Sequence, residues 1–443
     1  MATIKIILDS RRLKQKTKTY PVKLQVIFNR TTRHYPTIFD LSTDDYNKLR
    51  APRINERSQE VREKLNFLKR NAVEFVRQMD EFNFYEFEHD FVNEQSSLKP
   101  KKNLAPPATE TVIDGFDYSP YLKRFIIFQE EHSVPGTISG VYLSYIKLLL
   151  QEGRIGSAIQ YKDSYSSLKK FRGNVKFTDI STGYLYQYEN WMLERGNSKT
   201  TVGIKLRALR CIFNEAIHMG IIKKEKHYPF GRRKYRIPTS RNLKKALTQD
   251  ELRKIYYDVP ACMEECKAKD FWLFLYLANG MNPKDLCHLK YKDMQEGYLT
   301  FIRAKTERAT RSDPRPITIF LSEDMLQIIG RWGTPDKNPD NYIFPVLLKN
   351  TDAMKQYSRV PLFTRFINDY MAKVGQRLGI EKKITTIVSR HSFSTQLKWS
   401  GASTEYIQEA LGHTDKRTTE NYLDSFGREL KKDFSQKLLS FKY

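Results

Sequence analysis

Residues 389–422 decide how the rest of the chain is read. They run from Ser389-Arg390-His391-Ser392-Phe393-Ser394-Thr395 through Leu411-Gly412-His413-Thr414 to Thr418, Thr419 and Tyr422. An Arg-His pair opens the stretch, a Leu-Gly-His follows, and a tyrosine stands nine residues beyond that second histidine. Singly, each has a plain structural reading. Tyr422 is one of 26 tyrosines and could simply pack. Arg390 could be a buried ion-pair partner, His391 reads as a packing residue, and His413 after Gly412 could be a helix terminus. Order along the chain is what carries weight, and two further patterns precede these. One is Asn279-Gly280-Met281-Asn282-Pro283-Lys284-Asp285-Leu286, followed by Leu289 and Tyr291-Lys292-Asp293. The other is Lys305-Thr306, just after an extended run Tyr298 to Arg303 that pairs with Pro316 to Leu321 as a hairpin.

Working outward, the region 247–443 opens on Thr248-Gln249-Asp250-Glu251, a capping box that starts a helix at Gln249. An apolar helix around Phe271 to Ala278, the hairpin and further helices follow. Upstream lies a basic connector, 223–246. Its Arg232, Arg233, Lys234, Arg236, Arg241, Lys244 and Lys245 are read as tracking a DNA backbone, with Lys223, Lys224 and Lys226 against the single acid Glu225. Residues 117–222 read as a helical bundle without a convincing strand. Thr137 caps a helix carrying Val141, Tyr145 and Leu148, a second carries Tyr161, Tyr165 and Leu168, and Val202, Leu206, Leu209, Phe213 and Ala216 form the clearest stripe. Aromatic residues at that spacing read as core. Residues 96–116, rich in Pro and Ser, read as a linker. In 1–95, Ile4, Ile6 and Leu8, then Val22, Leu24, Val26 and Phe28, then Tyr35 to Phe39, alternate as strands of a small sheet with a basic edge. A helix from Glu56 to Glu81, striped by Leu65, Leu68, Ala72 and Val76, could pack on that sheet or lead away from it. The fold class expected is mainly α with small β elements, an α+β protein in three parts.

Composition narrows the function. With 443 residues the chain is too long for one core. Lys and Arg number 76 against 51 Asp and Glu, a formal charge of +25, which makes nucleic acid the leading partner. No apolar run is long enough to span a bilayer and the start lacks a secretory h-region, so a cytoplasmic, nucleoid-associated protein is expected. The four cysteines Cys211, Cys262, Cys266 and Cys287 make neither a disulfide framework nor a paired zinc motif. Cys262 and Cys266 read as one face of a helix beginning after Pro260.

The four patterns, in order, resemble the boxes of the tyrosine recombinase or phage integrase family over roughly residues 117–435, and the first 95 residues resemble, less closely, the arm-site DNA-binding domains of integrases. The family's first box is Gly-Leu-Arg followed by an acidic residue, its lysine lies after the first hairpin strand, and its last boxes are Arg-His and Leu-Gly-His with a tyrosine nine residues on. The resemblance implies site-specific cleavage and rejoining of double-stranded DNA through a 3′-phosphotyrosyl link, for integration or excision of a mobile element or for inversion. Such chemistry needs an in-line nucleophile, cations on the non-bridging oxygens and a proton for the 5′ oxygen. Tyr422 is the candidate nucleophile and Arg390 the planar fork for two phosphate oxygens. His413 is the hydrogen-bond donor to the phosphoryl group, and Lys305 the general acid. His391 supports the Arg390 box, and neither metal nor cofactor is needed.

Two positions depart from the family pattern: Asn282 stands where the first box carries Arg, and Ile387 where the Arg-His box has a His or Lys three residues earlier. Lys284, Arg308 and Arg311 are the nearest cations in sequence to replace the missing one. Behind Tyr422, Phe426, Leu430, Phe434 and Leu438 recur every fourth residue as a tail helix that folds back or docks on a neighbour. The family implies a homotetramer on core and arm sites, with an accessory DNA-bending protein as a further partner. Two other readings stay open on sequence alone: a type IB topoisomerase-like relaxase, and a binding-only architectural protein that has lost catalysis through Asn282 and Ile387.

Overall fold

The computed structural model describes the chain except residues 1, 15–16, 30, 50, 52–53, 78, 80–81, 83, 85–86, 93–111, 114, 123, 126–127, 129–135, 240–245, 308–312, 348–351, 414, 421–422, 424–435 and 437–443. The chain divides into two compact units, Met1–Pro106 and Pro107–Tyr443.

In the first unit, β1 (Thr3–Leu8), β2 (Tyr20–Phe28) and β3 (Thr31–Leu41) form an antiparallel sheet in the order β1-β2-β3. Ile4 faces Val26 and Leu24 faces Tyr35 across the strands, and all four are buried. Alternation therefore puts one face inward, as the sequence implies. The Glu56–Arg77 helix packs on this sheet rather than leading away. Ala72 and Val76 share one core with Ile4, Leu24 and Val26, filled out by Phe82, Phe84, Phe87 and Phe91. Burying those rings is what fixes the helix to the sheet.

The second unit begins with a two-residue hairpin, β4 (Val112–Ile113) and β5 (Phe116–Asp117), inside a stretch that composition reads as linker. Helices Ile138–Gln151, Ile155–Arg172, Thr182–Glu194 and Lys199–His218 follow. Thr137 accepts from the Gly140 amide as the cap of the first, and Val202, Leu206, Leu209, Phe213 and Ala216 are all buried in the last. The basic segment after them is not wholly a solvated connector. Phe230 bridges to Tyr235, both rings sink into the helical core, and the Tyr235 hydroxyl donates to Glu189 at 2.5 Å. Apolar burial thus pins this loop while Arg232, Arg233, Lys234 and Arg236 between and beside the rings stay exposed.

The remaining part is built around the Met263–Leu277 helix, whose Ala268, Phe271, Trp272, Phe274 and Leu275 are buried. Trp272 Nε1 donates to the Thr385 carbonyl (2.9 Å), tying it to the Thr386–Trp399 helix. Thr248 and Glu251 form the reciprocal capping box, and Ser392 Oγ accepts from the Leu247 amide at 2.9 Å, fixing the start of this part to the same helix. Cys262 is the exposed N-cap of the Met263–Leu277 helix, so only Cys266 lies within it. The sheet here is β6 (Met294–Gln295), β7 (Tyr298–Phe301) and β8 (Ile317–Phe320), with Leu299 opposite Ile319.

Candidate active site

Arg390 sits in the second turn of the Thr386–Trp399 helix and is 3% exposed, so its charge must be met by fixed dipoles. Nη1 donates to the Gly280 carbonyl (2.7 Å) and Nη2 to the Leu411 carbonyl (2.6 Å). The first-box loop and the Leu-Gly-His turn are thereby drawn together onto one guanidinium. Gly280 is needed for this approach: its φ is +62°, and a Cβ there would lie 2.8 Å from Arg390 Cα.

His413 follows Gly412 and is also buried. Its Nε2 is 3.0 Å from Arg390 Nη2, and its Nδ1 is 3.0 Å from Thr419 Oγ1. A guanidinium can only donate, so Nε2 accepts and the ring is neutral, with the proton on Nδ1 directed at Thr419. Burial first, then the positive charges of Arg390, Arg303 and Lys305, push its pKa down to about 3. Three cations thus lie close enough to this one imidazole to disfavour its protonation.

The third side of the pocket is the hairpin. Arg303 follows β7, and its carbonyl accepts from the amides of Thr306 (3.0 Å) and Glu307 (2.9 Å), closing the turn that carries exposed Lys305. Buried Asp285, in the first box, accepts from the Ala304 amide (2.9 Å) and so anchors this turn to the box. The structure therefore brings Arg390, His413 and the Lys305 turn together. Tyr422 lies outside the described residues, as do Arg241, Lys244 and Lys245 and the tail stripe Phe426, Leu430, Phe434 and Leu438.

Residues 245–428 match the phage integrase family, and residues 138–237 match the phage integrase SAM-like domain. The chain belongs to the phage integrase family of tyrosine recombinases. It is 29% identical over 184 residues to the tyrosine recombinase XerA of Thermococcus onnurineus, a match covering 41% of this chain and 58% of that relative. To the tyrosine recombinase XerC of Thermodesulfovibrio yellowstonii it is 24% identical over 307 residues, covering 63% of this chain and 89% of that one. Among solved structures, the integrase of the Tn1549 transposon aligns with a TM-score of 0.49 at 17% identity, over 68% of this chain and 99% of that one.

Against the family's boxes, Asn282 is the half-buried N-cap of the Pro283–His288 helix, its Nδ2 3.5 Å from Asp285 Oδ2. It brings no charge. Ile387 is 37% exposed on the Thr386–Trp399 helix. His391 is buried one residue along from Arg390. Of the cations nearest Asn282 in sequence, Lys284 is exposed, and Arg308 and Arg311 lie outside the described residues. Two further side chains reach this site, and the first is the buried Arg303, 6% exposed and distant from Asn282 in sequence. Its signal is strand period: two residues beyond the end of β7, Arg303 continues the alternation of Leu299 and Phe301, and an arginine that continues an apolar face is out of place unless it is used. Thr419, fully buried, is the other.

Proposed function

We propose that this integrase-family chain cuts and rejoins double-stranded DNA at specific sites through a 3′-phosphotyrosyl intermediate on Tyr422. The observation that carries this reading is the meeting of Arg390 and His413 at 3.0 Å in a buried site that Arg303 also enters, through its bond to the Gly412 carbonyl. A phosphodiester entering that pocket would accept from the Arg390 fork and from His413. As the Tyr422 oxygen bonds to phosphorus, the bond to the 5′ oxygen breaks and Lys305 delivers a proton to that oxygen, while the phenolic proton leaves to solvent. The bond energy stays in the phosphotyrosine, so a 5′ hydroxyl of another strand can reverse the step without ATP.

In this reading residues 1–95 hold arm-type DNA, 117–222 hold the core site with the cations of 223–246 on its phosphates, and 247–443 carry the chemistry. Two core sites with four strands to cut would be served by a tetramer. The integrase complexes with DNA known for Tn1549 and the lambda integrase tetramer on a Holliday junction support that reading by analogy of family.

The test is covalent capture on a library of nicked duplexes with a randomised core, in which the fragment beyond the cut diffuses away and traps the adduct. Wild type should give a detergent-stable protein–DNA band that Tyr422→Phe does not give. Binding without any adduct would place the chain among DNA-binding proteins that do not cut. Relaxation of supercoils without exchange between two sites would point to a topoisomerase.

A further inference from the structure

We infer that Arg303 supplies to the scissile phosphate the positive charge that the first box, with Asn282, does not. The inference rests on the recombinase reading above and names a residue that the family's boxes do not contain.

The placement of Arg303 is specific. Its Nη1 donates to the Gly412 carbonyl at 3.3 Å, while Arg390 Nη2 takes the Leu411 carbonyl at 2.6 Å, so the two guanidiniums occupy consecutive carbonyls on the turn that ends at His413. Gly412 makes this possible. Its φ is +61°, a Cβ on it would meet Ile317 Cδ1 at 2.5 Å, and Arg303 Cδ lies 3.6 Å from that same point. Asp285 fixes the backbone beside Arg303 by accepting from the Ala304 amide, and the same carboxylate is 3.5 Å from Asn282 Nδ2. Arg303 therefore enters beside the first box, from the hairpin instead of from the box itself.

Its surroundings are not those of a structural arginine. Arg331 pairs with Asp270 at 2.8 Å, and Arg377 pairs with Asp258 at 2.8 Å and Glu265 at 2.6 Å. Arg303 is more deeply buried than either, makes no ion pair among the described residues, and its Nε has no hydrogen-bond partner there. A buried guanidinium left with one long hydrogen bond is costly to the fold unless an anion completes it. The phosphodiester is that anion. As the Tyr422 oxygen–phosphorus bond forms and the bond to the 5′ oxygen breaks, Arg303 and Arg390 would neutralise the charge growing on the two non-bridging oxygens.

The experiment uses the full chain and a nicked duplex that wild type cleaves. Arg303→Ala should slow adduct formation about 10²- to 10³-fold, the usual cost of one lost transition-state donor, at unchanged DNA affinity. A duplex with an uncharged methylphosphonate at the scissile position should shrink that ratio below about tenfold, because the charge that Arg303 answers is gone. Cleavage within threefold of wild type, or the same large ratio on both duplexes, would overturn the assignment and leave Arg303 a staple for Gly412. Should Arg303→Ala lower Tm, Arg303→Lys is read by the same two ratios. A wild type that forms no adduct on any duplex overturns the recombinase reading along with this one.

Discussion

Two groups of cations in the second unit differ in every physical respect except sign. Arg232, Arg233, Lys234 and Arg236 ride exposed on a loop held down by Phe230 and Tyr235. Arg390 and Arg303 are buried and aimed at carbonyls around His413. Exposed charges act through counterion release and are screened by salt, so within such a group one cation can stand for another. Buried charges are unscreened and geometrically fixed, so each acts alone. The first group should set how tightly DNA is held, and the second whether it is cut.

Replacing Arg390 is the severest way to break that contrast. Arg390→Lys keeps the charge but loses the planar fork that spans Gly280 O and Leu411 O. Adduct formation on a cleavable nicked duplex should fall about 10²- to 10³-fold, while affinity in a gel-shift titration stays within about twofold. An equal loss of affinity would mean that the buried arginine serves binding.

Next in size is the reverse experiment, neutralising Arg232, Arg233, Lys234 and Arg236 together to Gln. If all four contact phosphates, the slope of log affinity against log salt should flatten by about 3.6, at roughly 0.9 per contact. Cleavage at saturating DNA should hold. An unchanged slope would remove this loop from the DNA interface.

How far the sequence reaches differs between the two groups. Exposed charge is legible by counting, and the stripe Val202 to Ala216 and the Thr248–Glu251 box are local patterns that fold as read, while the hairpin expected over Tyr298–Arg303 and Pro316–Leu321 pairs over Tyr298–Phe301 and Ile317–Phe320. The packing of the Glu56–Arg77 helix on its sheet is a tertiary choice that helical period alone leaves open. Phe230 and Tyr235 were hidden by the charges around them, since a composition reading averages over a run while burial selects single residues. Arg303 was hidden differently. It is 21 residues from Asn282 along the chain, and Asp285, which joins Asn282 to Ala304, brings the two together across the fold.

A stability comparison sharpens the contrast at the backbone. Gly280 and Gly297 both have positive φ, +62° and +80°, but a Cβ at Gly280 would press on Arg390 whereas one at Gly297 meets nothing within 4 Å. Gly297→Ala should cost only the left-handed conformation, about 1–2 kcal/mol. Gly280→Ala should cost that plus displacement of the arginine, about 1–3 kcal/mol more. Equal losses in denaturant titrations would show that the Arg390 pocket is slack.

The smallest expected effect concerns His413 and separates two ways it could donate to phosphate. Its pKa is lowered from 6.5 to about 3, so between those values the unfolded chain binds a proton that the folded one refuses. This contribution to stability is complete above about pH 6.5 and is lost as pH falls toward 3; His413→Gln should flatten that slope. For donation, Nε2 must exchange its role as acceptor from Arg390 for an N–H. Gaining a second proton would do it, and so would moving the existing one, with the Thr419 hydroxyl turning from acceptor to donor at Nδ1. With three cations acting on the ring, the tautomer exchange is the easier route, and it predicts wild-type cleavage independent of His413 protonation from pH 6 to 8. Thr419→Val removes the hydroxyl that serves both tautomers. Cleavage should then drop about tenfold across pH 6 to 8, the cost of one buried acceptor left unmet. A wild-type rate that itself climbs toward pH 6, with Thr419→Val no slower, would assign the donation to the imidazolium and make Thr419 a packing residue.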